Sequence, residues 1–115
     1  MSEELIQVSM NIILHAGNAR EQIMEVFERI SENDFKQAKT ILEEANENIK
    51  TAHRAQTDII QGEARGNKQE SSLLFAHAQD TLMTIKSEWN IANKLIKVFK
   101  GYDERISAIE EQLKE

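Results

Sequence analysis

The sequence predicts an all-α protein, an antiparallel three-helix bundle running up, down and up. Three observations carry that expectation. The 115 residues include no proline and only four glycines, and residues that lose little freedom in a helix dominate the rest. Apolar residues recur at steps of three and four in three blocks, the period of a helix with one buried face. The breaks between blocks are short, so consecutive helices fold back on one another. Aromatic residues make up only 5% of the chain, which argues against a strand-rich fold.

The first helix is expected over about residues 3–31, its apolar positions being Ile6, Ile13, Ile23, Phe27 and Ile30 with Ala16 between them. Ser31, Glu32, Asn33 and Asp34 then offer capping oxygens for orphan amides. The second helix, about 34–65, carries Phe35, Ala38, Leu42, Ala45, Ile49, Ala52 and Ile59. Gly66 and Asn67 end it with a residue that tolerates positive φ. Residues 67–70 resemble a capping box for the third helix, about 70–99. That helix carries Phe75, Ala78, Leu82, Ile85, Trp89, Ala92, Ile96 and Phe99, a seam suited to shallow helix packing. Gly101 is expected to end or bend it, leaving residues 101–115 as a charged amphipathic tail of a single domain spanning 1–115.

Charge excludes several roles. A net charge of −6 does not suit a nucleic-acid binder or a protein of anionic membrane surfaces. Without cysteine there is no disulfide, thiolate nucleophile or zinc–sulfur site. The N-terminus is acidic where a signal peptide is basic, and no apolar stretch is long enough to enter a bilayer, so a cytoplasmic protein is expected.

The distribution of charge is more informative. Residues 5–19 contain no charged side chain, and residues 71–85 contain only Asp80. In an up-down-up bundle both stretches lie at one end, where residues 52–61 join them. A chain of this size cannot bury them all, so that end is expected to pack against further copies.

Within this region His77, Asp80, Thr81 and Thr84 form a polar stripe beside the third helix's seam. Two accounts fit the stripe: a hydrogen-bond network that fixes helix register, or a functional site. His15 reads as a hydrogen-bonded core residue and His53 as an ordinary partly exposed one; no i, i+4 metal pair or zinc signature joins the histidines. Gly17, costly in mid-helix, implies a close contact. Arg20 and Gln56 stand at positions the stripes would make apolar, where snorkelling or inter-subunit hydrogen bonding is the simple reading. Trp89 continues the core, and Lys94, Lys97 and Lys100 form a solvated face. No phosphate loop or nucleophile triad is present, so a group carrier fits better than a self-contained catalyst.

Three stretches carry a resemblance to a known family: His15-Ala16-Gly17-Asn18-Ala19-Arg20; Ala52-His53-Arg54-Ala55-Gln56-Thr57-Asp58-Ile59-Ile60-Gln61 with Glu63-Ala64; and Leu73-Leu74-Phe75-Ala76-His77-Ala78-Gln79-Asp80-Thr81-Leu82-Met83-Thr84. In order and spacing the chain resembles the enzyme IIA component of the lactose/cellobiose (chitobiose) class of the phosphoenolpyruvate-dependent sugar phosphotransferase system. The resemblance implies a homotrimer of three-helix subunits in which His77 accepts a phosphoryl group from the phosphocarrier HPr. His77 then passes it to a cysteine of the IIB component, and a membrane component couples phosphorylation to sugar uptake and sets the sugar. It also implies that Asp80 lies near the trimer axis, where three copies share a divalent cation, magnesium. Thr81 stands where many relatives have a second histidine.

A neutral imidazole has a lone pair for in-line attack on phosphorus and needs no general base, so positioning and stabilisation of the equatorial oxygens remain. Gln79 and Gln56 are the expected donors. Two rivals remain: a structural or adaptor oligomer with His77 in a hydrogen-bond network, and a two-component histidine phosphotransfer domain. The latter usually has a Lys-Gly pair after its histidine, unlike Gln79-Asp80-Thr81.

Overall fold

The computed structural model describes residues 2–68 and 70–114. Three helices make up the chain: α1 (Glu3–Ser31), α2 (Phe35–Ala64) and α3 (Leu73–Lys114). They pack as an antiparallel bundle, each touching both others, in a rod of 71 × 21 × 19 Å.

Local chemistry explains each boundary. Ser2 caps α1 by accepting the Leu5 amide at 3.1 Å, and Glu3 and Glu4 complement the positive helix end. Asn33, with φ 59°, turns the chain left-handed at the far end of α1. Its amide and that of Asp34 bond back to the carbonyls of Ile30 and Arg29, both at 2.9 Å, closing a Schellman motif. Asp34 then caps α2 by accepting the Gln37 amide at 3.1 Å. One residue thus ends one helix and starts the next, which is why the turn is so tight. Gly66, with φ 97°, repeats the device at the end of α2: Asn67 bonds to Gly62 and Gly66 to Glu63.

The third helix departs from the expectation at both ends. It begins at Leu73, with Ser72 accepting the Phe75 amide at 3.1 Å, instead of near residue 70. The capping-box expectation includes Gln69, which lies outside the described residues. Nor does the helix stop at Gly101. It continues to Lys114, because glycine lowers helix propensity by about 1 kcal/mol and does not forbid the helix.

The core is a layered seam of small and branched residues. In α1 it runs Leu5, Ser9, Ile12, Ala16, Ala19, Ile23, Val26 and Ile30, all buried. Ile6, Ile13 and Phe27 only flank it, one helical position away from the expected seam. Large residues drew attention to the wrong stripe, whereas Ser9, Ala16 and Ala19 let the helices approach closely. Ser9 satisfies its buried hydroxyl by donating to the Leu5 carbonyl at 2.7 Å. The seam of α2 follows the expected residues from Ala38 to Ile59. In α3 the buried set is Ala78, Leu82, Ile85 and Ala92, with Trp89 half-buried and its indole donating to the Leu42 carbonyl at 2.8 Å.

Two polar links fix the helix heights. Arg20 donates through Nε and Nη2 to both carboxylate oxygens of Glu88, at 3.1 and 3.0 Å, tying α1 to α3. His15 Nδ1 lies 3.0 Å from Asn48 Oδ1, and Asn48 Nδ2 donates to Gln22 Oε1 at 2.9 Å, tying α1 to α2. The expectation that His15 is a hydrogen-bonded structural residue holds, though it is half-buried and beside the core.

Candidate functional site

His77 and Asp80 are exposed on the first turns of α3, on the stripe the spacing predicts. His77 precedes Glu88 by three turns on the same face, so it lies on the flank of α3 that meets α1. The Arg20–Glu88 pairing marks that register, with His77 at the height of Ser9.

The hydrogen-bond network that a purely structural stripe calls for does not form within the chain. Thr81 and Thr84 turn their hydroxyls back to the carbonyls of His77 and Asp80, at 2.8 and 2.9 Å. These are local helix bonds. Among the described residues neither the His77 imidazole nor the Asp80 carboxylate is held by a side-chain partner. An imidazole free on both sides can present a lone pair to an incoming group.

Apart from Asp80, the surroundings are apolar and uncharged. Leu73 and Met83 on α3 are 88% and 67% exposed, and Met10 and Leu14 on α1 are 51% and 58% exposed. Gln7, Val8, Met10, Asn11 and Leu14 line an open cleft on the charge-free face of α1. The uncharged segments are therefore laid open at the surface of the single chain, as the charge pattern anticipates.

The expected donors are separated. Gln79 is two residues from His77, about 200° around the helix, and lies half-buried on the other flank of α3. Only another chain could bring a Gln79 amide against this imidazole. Gln56 stands in the core stripe of α2, between Ala52 and Ile59, near the height of Phe75. Its Oε1 is buried and unpartnered. Neither glutamine bonds to His77 in the chain.

Other expectations are resolved by packing. Arg20 makes its bidentate pair within the chain, and the Glu88 hydrogen bond holds its guanidinium above the usual arginine range. That correction replaces snorkelling or an inter-subunit bond: α1 and α3 bring the two side chains together across their shared groove. Gly17 makes no close contact, since a Cβ there would meet nothing within 4 Å. His53 is exposed. Among the described residues no three His, Asp or Glu side chains cluster closely enough to hold a metal ion, so a cation at Asp80 would need carboxylates from other copies.

Fold and face together define a small helical protein that offers an accessible, unpartnered imidazole on a stretch of helix whose one charged side chain is Asp80. The chain belongs to the lactose/cellobiose-specific IIA subunit family of the PTS system, whose family model it matches over residues 7–100. It is a component of a sugar phosphotransferase system, a phosphoryl carrier in disaccharide uptake. It is 38% identical over 108 residues to the lichenan-specific phosphotransferase enzyme IIA component of Bacillus subtilis (strain 168), covering 94% of this chain and 98% of that protein. The PTS cellobiose-specific enzyme IIA from Bacillus anthracis superposes with a TM-score of 0.84 at 36% identity, over 90% of this chain and 95% of that one. The IIA(chitobiose) of Escherichia coli, solved in complex with HPr, superposes with a TM-score of 0.77 at 30% identity, over 89% and 99% of the two chains. No helix among the described residues is long and apolar enough to cross a membrane.

Proposed function

We propose that His77 is the phosphoryl acceptor of this IIA component. The observation that carries the reading is its imidazole: exposed, unpartnered in the chain, on a face without lysine or arginine nearby in residues 71–85, and inside the segment that matches the family. A nitrogen lone pair of His77 attacks the phosphorus of phosphohistidine on HPr. The N–P bond of the donor breaks as the N–P bond to His77 forms. A cysteine thiolate of the IIB component then attacks the same phosphorus and returns His77 to its free form. The complex of the chitobiose relative with HPr supports the first partner. A stretch without lysine or arginine suits such a relay, because a lysine beside the imidazole would hold the phosphoryl group after transfer. The exchange takes place in the cytoplasm.

The working form is a homotrimer that covers the open apolar residues near His77, among them Met10, Leu14 and Met83. In it a Gln79 amide from a neighbouring chain, and Gln56, donate to the phosphoryl oxygens. Asp80 faces the three-fold axis. Its carboxylate, free of partners in the chain, is a hard oxygen donor of the kind magnesium prefers, and three copies supply what one lacks. Left bare, three carboxylates 4 Å apart at an effective dielectric near 20 would repel by about 4 kcal/mol per pair. Such an ion holds the subunits together and takes no part in transfer.

The test is to incubate the protein with phosphoenolpyruvate, enzyme I and HPr and to look for acid-labile phosphate. Label is expected on the wild-type protein and not on His77→Ala. No label on the wild type, or label that survives the substitution, would refute the assignment.

A further inference from the structure

Five of the chain's nine lysines gather on one face, in the half of the bundle remote from His77. Lys36 and Lys39 open α2, and Lys94, Lys97 and Lys100 lie on α3, all five exposed. The Trp89–Leu42 bond sets α3 against α2 so that the two rows flank one groove. Adjoining clefts of about 500 and 370 Å³ run along it and share Lys39, Ile96 and Lys100. Half-buried Phe35 and Ile96 form its apolar floor.

In a chain of net charge −6 this grouping runs against the average. Water explains an exposed lysine, but like charges one turn apart on a helix repel. Nothing in the chain offsets that repulsion. Among the described residues none of the five ammonium groups makes an ion pair. Glu43 and Glu104 stand four residues after Lys39 and Lys100 and pair with neither. Lys50 and Lys114, by contrast, each meet a glutamate of the preceding turn. The lining holds one carboxylate, Asp34, and it is engaged in capping α2 through the Gln37 amide.

The geometry points to a docking groove for an acidic polypeptide segment of a protein partner. Its carboxylates lie between the lysine rows and an apolar side chain rests on the floor. Lys94 to Lys100 covers about 9 Å of helix, a span for several carboxylates in succession and longer than one compact phosphate. The recessed floor receives an inserted side chain, whereas a bilayer surface calls for apolar groups that protrude. Complementary charge speeds the encounter and selects the partner. The groove is separate from the transfer site. His77 and Lys97 are 20 residues apart, about 30 Å along α3 and about 200° around it. An acidic partner in the groove therefore leaves His77 open to a second protein.

The test uses the full chain and a fluorescein-labelled peptide of repeated Glu-Glu-Leu units, read by fluorescence anisotropy. The wild type is expected to bind it, with an affinity that falls as salt rises. Lys39→Glu/Lys97→Glu/Lys100→Glu is expected to weaken binding at least about tenfold, and the same three changes to Gln, which add no repulsion, to weaken it less. Lys50→Glu/Lys68→Glu/Lys114→Glu makes an equal change of charge away from the groove and is expected to bind like the wild type. Circular dichroism is expected to be the same for all. A polyglutamate peptide is expected to bind more weakly, and equal binding would overturn the role given to Phe35 and Ile96. No binding by the wild type, or equal loss in the two glutamate variants, would overturn the groove. So would co-sedimentation of the wild type with phosphatidylglycerol vesicles in preference to the peptide.

Discussion

Arg20 and Glu88 meet as a two-pronged ion pair at 3.1 and 3.0 Å, and this is the one salt bridge between helices among the described residues. It marks the register of α3 along α1, which the packed core holds, and thus where His77 stands. Its energy is nevertheless small. The side chains are 45% and 32% exposed, so solvent screens the attraction, and exposed pairs contribute about 0–1 kcal/mol. Arg20→Ala is expected to destabilise the chain by less than about 1 kcal/mol in urea unfolding, with the difference shrinking in high salt. Because the Glu88 bond raises the Arg20 pKa, the pair's contribution is fully present below the unfolded arginine's range and is lost only above it. Titration of Arg20 therefore adds no slope to stability between neutral and moderately alkaline pH.

Asp80→Leu separates assembly from transfer. It removes the carboxylate repulsion at the proposed axis and replaces it with apolar contact. The variant is expected to stay trimeric in a chelator that weakens the wild-type trimer, as read by sedimentation equilibrium with and without EDTA. Dissociation of Asp80→Leu into monomers would count against the axial placement.

Gln56 keeps an unpartnered oxygen inside the bundle, a costly arrangement that apolar substitution relieves. Gln56→Met is expected to raise unfolding stability by about 1 kcal/mol and to slow phosphoryl transfer from HPr. A more stable variant with unaltered transfer would remove Gln56 from the proposed donors.

Gly17 and Gly101 are both helical, and a Cβ at either meets nothing within 4 Å. Alanine at each is expected to stabilise the helix by about 1 kcal/mol in thermal or urea unfolding. A loss at Gly17 alone would show that a neighbouring chain packs against it, the role that mid-helix glycine suggests in the sequence.

Trp89→Phe keeps most of the buried ring but loses the indole bond to the Leu42 carbonyl. The expected cost is about 1 kcal/mol in unfolding free energy, with the oligomeric state unchanged.

The sequence by itself determined the three helices, the two turns, the seams of α2 and α3 and the exposed stripe of His77 and Asp80. These are local or periodic properties. Capping residues, left-handed Gly66 and apolar repeats act within a few positions of the chain, so they are legible in one dimension. The resemblance carried by the motif around His77, beyond its spacing, identified the family. Tertiary structure decided what depends on two helices at once. The α1 seam passes through Ser9, Ala16 and Ala19 because close approach rewards small residues that hydrophobicity alone overlooks. Arg20 found Glu88 across 68 residues, and His15 found Asn48. Gln79 lost its place beside His77 because neighbours in sequence at a spacing of two face opposite ways on a helix. The tail became a continuation of α3 for the same kind of reason. A glycine weakens a helix locally, but whether the helix stops is decided by the energy of the whole rod.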